Sequence, residues 1–159
     1  MSKVELEDDS IVSAGVEHSV VLAELHARCF PHSPWDAKSI SRILVQEPYD
    51  CLIYCVGSTP VGFVLWQSVI DEAEITTICI DPKWRRKGYS RLLIVELCRF
   101  LSQDQVSKLF LEVAEDNSPA INLYLNAGFE KIGWRRKYYQ KEDGTLVDAL
   151  VMGLDIIKT

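Results

Sequence analysis

The feature that most constrains this chain is a strand, a basic turn and a helix in immediate succession. Residues 74–80 (EITTICI) are rich in β-branched side chains and read as a strand. The stretch that follows, Asp81–Leu93 (DPKWRRKGYSRLL), places five cations within nine residues, from Lys83 to Arg91, around a glycine at position 88. Tyr89, Leu92, Leu93, Leu97, Phe100 and Leu101 then recur at helical spacing and predict one apolar face. A helix that opens directly after such a turn presents backbone N–H groups with no intrahelical partner. Its dipole favours an anion there by ~0.3–1 kcal/mol at an exposed end. Gly88 lets a ligand approach the backbone with no Cβ in the way. Arg85, Arg86, Lys87 and Arg91 surround that point with positive charge. A phosphate or pyrophosphate suits these features better than a carboxylate, having more acceptor oxygens and more charge. The turn has neither the P-loop order nor the three-glycine dinucleotide fingerprint. Spacing alone therefore leads to a phosphate-bearing ligand and stops there.

Charge narrows the partners. The chain is acidic, with 23 Asp and Glu against 17 Lys and Arg, which argues against general nucleic-acid binding. Ten of the 17 cations nevertheless fall in two short stretches, the turn above and Lys131–Lys141. Within the second stretch, the run Trp134–Tyr139 reads equally as a peptide-facing surface or as an edge strand guarded by charge. Five cysteines (Cys29, Cys51, Cys55, Cys79 and Cys98) lie in or beside apolar runs, with no Cys-x-x-Cys pair and no histidine at zinc spacing. They read as reduced core thiols and point to the cytoplasm, a catalytic cysteine being the alternative. No metal site is expected. No apolar run is long enough to span a bilayer, and MSKVELEDDS does not read as a secretory signal.

The remaining order predicts a single mixed α/β domain over residues 1–159, with 1–12 as a flexible lead-in. Helices are expected over 16–30 and from Ser33-Pro34-Trp35-Asp36 to about Val45, with Ser33 as cap and Pro34 at the first helical position. Strands follow at 51–57 and 61–70, joined by a turn at Gly57-Ser58-Thr59-Pro60. Beyond the basic turn come a strand at 108–114, a short helix opened by Asn117-Ser118-Pro119 and ended by Gly128, and strands at 129–139 and 146–156 about an Asp143-Gly144 turn. The class is α/β (α+β), a central mixed sheet of six to seven strands flanked by helices, with one helix crossing between the third and fourth strands.

Arg85-Arg86-Lys87-Gly88-Tyr89-Ser90 resembles the Arg/Gln-x-x-Gly-x-Gly/Ala motif of the GNAT N-acetyltransferases, with Ser90 where the family has Gly or Ala. PHSPWDAKSI, IDEA and the strand after it, LEV-x-x-x-N-x-x-AI-x-LY-x-x-x-GF, and RR-x-YY followed by DG occur in order. Together, over roughly residues 15–155, they resemble the ribosomal-protein-alanine (RimI) type within that family. The resemblance implies the GNAT fold and acetyl-CoA as cosubstrate. It implies that residues 85–91, including Tyr89 and Ser90, hold the pyrophosphate, that the strand ending Ile78-Cys79-Ile80 lies beside the pantetheine, and that Asn117 contacts the cofactor. The implied acceptor is a protein N-terminus, that of small-subunit ribosomal protein eighteen, with no nucleic acid or membrane involved. Oligomeric state is not readable.

Acetyl transfer to an amine sets three tasks: deprotonating an α-ammonium of pKa ~7.7–8.0, stabilising an oxyanion, and protonating the leaving sulfur. Alternation in LFLEVA places Phe110, Glu112 and Ala114 on one strand face. Glu112 reads as a carboxylate shielded from free solvation by Phe110 and serving as a base, or as a sheet-surface Glu, or as half of an ion pair with Arg135 or Arg136; the resemblance selects the base. Tyr124 reads as a core tyrosine, and the resemblance makes it the acid. Backbone N–H groups of Ile78–Ile80 are the expected oxyanion donors, where the strand splays or bulges. Two other readings stand beside this one: an acetyltransferase for other N-termini, lysines or small amines, and a non-catalytic acetyl-CoA-binding module.

Overall fold

A computed structural model describes residues 8–156. Seven strands form one mixed sheet in the order β1-β2-β3-β4-β5-β7-β6. They are β1 (Asp9–Ala14), β2 (Tyr49–Val56), β3 (Thr59–Val69), β4 (Glu72–Ile80), β5 (Lys108–Ala114), β6 (Glu130–Gln140) and β7 (Leu146–Asp155). The helices are α1 (Ser19–Cys29), α2 (Ala37–Leu44), α3 (Tyr89–Gln103) and α4 (Ser118–Asn126). The pairs β1–β2, β5–β7 and β6–β7 are antiparallel, and β4 runs parallel to β5, the pair joined by the α3 crossover. This is the architecture expected from the sequence. The chain divides into two compact units, the part up to Leu65 with Ile78–Leu93, and Trp66–Thr77 with Ile94 onward.

In the first unit, Leu22 and Leu25 of α1 and Ile40 of α2 pack with Cys51 and Ile53 of β2, Phe63 and Leu65 of β3, and Cys79 of β4. Each such leucine, isoleucine or phenylalanine, fully buried, contributes roughly 1.5–3 kcal/mol relative to exposure. Two expectations change here. Residues 9–14, assigned to a flexible lead-in, form β1, which pairs with β2 from Asp9↔Val56 to Ala14↔Cys51. Its residues DSIVSA bury little, and Asp9 accepts a 2.6 Å hydrogen bond from the Tyr54 hydroxyl. The rest of that lead-in, residues 1–7, lies outside the described residues. The second helix is capped by Asp36, whose Oδ1 accepts from the Ser39 amide at 2.7 Å, and begins at Ala37 instead of Pro34. The cause is tertiary: the Trp35 amide donates to His26 Nδ1 at 3.0 Å and the two rings stack, which holds residues 33–36 outside the helix.

In the second unit, β7 pairs with the whole of β5, from Lys108↔Asp155 to Ala114↔Ala149, and with β6 through a ladder whose register shifts twice. Leu109, Leu111 and Val113 are buried while Phe110, Glu112 and Ala114 alternate with them on a more open face. Asn117 caps α4, accepting from the Ala120 amide at 3.3 Å. In α3 the phase departs from the expected face: Leu92 is 45% exposed and Ile94 is buried in its stead.

Candidate active site

The basic turn of the first unit is built by its neighbours as much as by its own sequence. Asp81, 5% exposed, caps the short 3-10 turn Pro82–Trp84 through the Lys83 amide and is held by Arg28 of α1 at 3.0 Å. Its own amide donates to the Val61 carbonyl at 2.8 Å. Arg85 turns back on the strand end: its Nε donates to the Ile80 carbonyl at 3.0 Å, and the Cys29 thiol reaches the same oxygen at 3.2 Å. The Cys29 thiol is held below its usual range, first by a hydrogen bond with Cys79 and then, against the opposing effect of burial, by Arg85. Cys79 is pushed up, by that same bond and by burial.

Past Arg85 the turn opens. Arg86 sits at φ +65° and Gly88 at φ +82°, and a Cβ placed on Gly88 would meet nothing within 4 Å. The Gly88 carbonyl accepts from the Leu92 amide at 3.2 Å, so the amides of Tyr89, Ser90 and Arg91 occupy the first helical turn, where intrahelical acceptors are lacking. Lys87 lies over the Trp84 ring, 5.1 Å from its centroid. Arg86 and Arg91 are exposed and have no acidic partner among the described residues. A left-handed turn with an open glycine, free amides and unneutralised guanidinium groups fits a diphosphate.

The second unit holds the other predicted groups. Glu112 lies mid-strand on β5, its side chain 18% exposed, with Arg135 Nη1 3.5 Å from Oε2. The Tyr139 hydroxyl donates to the Glu112 main-chain carbonyl at 3.3 Å. Of the two partners weighed for Glu112 in the sequence, the structure selects Arg135. Tyr124 is buried on α4, edge-on to Phe129 at 5.7 Å. Its phenol is pushed up to about 12, by burial first and the Tyr139 hydroxyl second. The side-chain oxygen of Asn117 is taken by the helix cap, leaving its amide nitrogen as the available donor.

Parallel pairing of β4 with β5 includes Glu72↔Lys108, Ala73↔Leu109 and Glu74↔Phe110. Ile78 is half-buried, and Cys79 and Ile80 are buried. Reading by sequence missed Arg28 and Cys29 as braces of the turn, and Glu74 as a neighbour of Glu112. No local signal carries these contacts, since each joins residues far apart in the chain.

The chain belongs to the acetyltransferase (GNAT) family, whose model matches residues 20–129. Within that family it is similar to proteins named ribosomal protein bS18-alanine N-acetyltransferase. The one from Haemophilus ducreyi is 34% identical over 103 residues, 65% of this chain and 71% of that one. The one from Escherichia coli K12 is 40% identical over 95 residues, 60% of this chain and 64% of its own length. The crystal structure of the Escherichia coli ribosomal-protein-alanine enzyme superposes with a TM-score of 0.87 at 30% identity, covering 96% of both chains. Ard1 from Thermoplasma volcanium, 21% identical with a TM-score of 0.81 over 94% of this chain and 98% of that one, shares the fold.

Proposed function

We propose that this chain transfers the acetyl group of acetyl-CoA to the N-terminal α-amine of a protein, and that its acceptor is the N-terminal alanine of ribosomal protein bS18. The observation that carries this reading is the likeness, over nearly the whole of both chains, to the Escherichia coli enzyme of that name. The reading places the protein in the cytoplasm. Its five cysteines are free, and among the described residues no helix is long and apolar enough to cross a membrane.

In this reading Arg86, Lys87 and Arg91, with the amides of Tyr89 and Ser90, hold the diphosphate of the cosubstrate, and Gly88 allows its approach. Arg85 contributes mainly by fixing the turn to Ile80. Glu112 removes the proton from the incoming ammonium, Arg135 and Tyr139 keeping its side chain and backbone in place. Backbone N–H groups of Ile78, Cys79 and Ile80 stabilise the oxyanion. Tyr124 protonates the leaving sulfur; with its phenol near 12 it stays protonated at every pH at which the protein would work. Asn117 donates to the cosubstrate through its free amide.

The test is mass spectrometry of peptides incubated with the protein and acetyl-CoA. The panel holds N-termini beginning Ala, Ser, Met and Lys, and an N-blocked peptide with internal lysines. Acetylation of the Ala peptide with the blocked one untouched is the expected result. Acetylation of the blocked peptide would replace the N-terminal acceptor with lysine, and no product on any peptide would overturn the reading.

A further inference from the structure

Glu74 of β4 stands in register with Phe110 of β5, so both side chains project from the same face of the parallel pair. Glu112, two residues on from Phe110, shares that face. Across the sheet, Ala114 pairs with Ala149 of β7, and Ala149 with Arg135 of β6, which puts Arg135 on the same face one row along. The intervening Ala149 is small and fully buried, which leaves room for Arg135 to reach back to Glu112 at 3.5 Å. Glu74, Glu112, Arg135 and Tyr139 thus form one group on one face of the second unit.

The charges in this group do not cancel. Glu112 and Arg135 pair off and together are neutral, so the paired carboxylate alone offers little net attraction to a cation. Glu74 adds one negative charge that has no cationic partner within salt-bridge distance among the described residues. One surplus negative charge matches one α-ammonium.

We propose that Glu74 is the acceptor-binding carboxylate: it holds the incoming ammonium beside Glu112, which takes the proton and releases it to solvent. The inference rests on the proposed function. Glu74 contacts the acceptor and leaves proton removal to Glu112. Its carboxyl titrates above the usual range, because of partial burial first and the Glu112 charge second, with Arg135 opposing. Tyr139, raised by burial and by both carboxylates, completes the set from β6. The other neighbour of β4, strand β3, has no titratable side chain (TPVGFVLWQSV).

The test is steady-state kinetics on an Ala-initiated peptide with the full chain and its Glu74→Gln and Glu74→Asp variants. For Glu74→Gln the KM of the peptide should rise about tenfold, the loss of one charge-assisted hydrogen bond. The KM of acetyl-CoA and the melting temperature should stay as in the unsubstituted protein. That protein should bind the peptide more weakly as pH falls through the raised Glu74 titration, and the Gln variant should lose this dependence. Glu74→Asp, which keeps the charge, should retain most of the peptide affinity. Unchanged peptide KM and pH dependence in an enzyme that still acetylates would overturn the role of Glu74 and leave the proposed function standing. An equal rise in the acetyl-CoA KM, or a lowered melting temperature, would show a structural role and overturn it too. A protein that acetylates no peptide would sink both.

Discussion

Gly62 of β3 and Ile80 of β4 are packed so closely that no larger residue fits at position 62. A Cβ there would stand 2.3 Å from Cδ1 of Ile80 and 2.5 Å from the Cys79 carbonyl oxygen. The second contact is with backbone, which cannot swing aside as a side chain can. Gly62→Ala must therefore displace the strand end on which the basic turn is mounted. It should destabilise the protein by about 1–3 kcal/mol, the usual cost of overpacking. It should also raise the KM of acetyl-CoA, although residue 62 lies outside the basic turn. Denaturant unfolding combined with cosubstrate titration checks both.

Glu112→Gln preserves shape and removes the proton acceptor. Turnover should fall about 10²- to 10⁴-fold, the range for loss of a general base. Acetyl-CoA binding measured by calorimetry should stay nearly as it was. Unaltered kcat across the pH range would remove Glu112 from the base role.

Tyr124→Phe deletes one hydroxyl and keeps the ring against Phe129. Folding should be nearly unaffected, while kcat should fall by about 10²-fold or more. The sign of the pH dependence is separately informative. A phenol pushed up to about 12 is protonated throughout the range below that value, so its deprotonation should impose no decline in kcat between pH 8 and about 10. A decline there that the Phe variant lacks would mean that the acid titrates far lower than its burial implies.

Ile70, 93% exposed, occupies the turn between β3 and β4 at φ +59°, a region that a β-branched residue adopts only under strain. Its side chain contributes almost no burial to offset that strain. Ile70→Gly should stabilise the protein by about 1 kcal/mol, the left-handed penalty relieved less the entropy glycine brings. Thermal melting of the pair of proteins decides it.

Where the sequence could be read, one strong local pattern sufficed. LFLEVA alternates so cleanly that the face carrying Glu112 is evident from the letters, and burial along β5 follows it. Asn117 and Pro119 fix the start of α4 in the same way. The misreadings share a cause, which is that distant contacts decided between local options of similar merit. Ser33 and Asp36 are both good helix caps, and the contact of Trp35 with His26 chooses Asp36. DSIVSA has almost no apolar alternation, and its identity as a strand comes from pairing with β2. Arg85 looks like one more cation of an anion-binding turn until the Ile80 carbonyl, five residues back, claims its Nε. Glu74 is unremarkable within EITTICI; its meaning arises from the strand beside it.

Strand β6 lies at one margin of the sheet, with Ile132, Trp134 and Tyr138 all more than half exposed. A regular ribbon with those side chains would be sticky toward any other extended chain. Its register with β7 breaks between Lys131 and Gly133 and again between Arg135 and Tyr139, and Lys137 stands at φ +51° with its amide spent on Asp148. The outer row of backbone donors and acceptors is therefore interrupted at intervals shorter than an ordinary strand. A passing polypeptide can touch this margin and can find no uninterrupted template on which to zip.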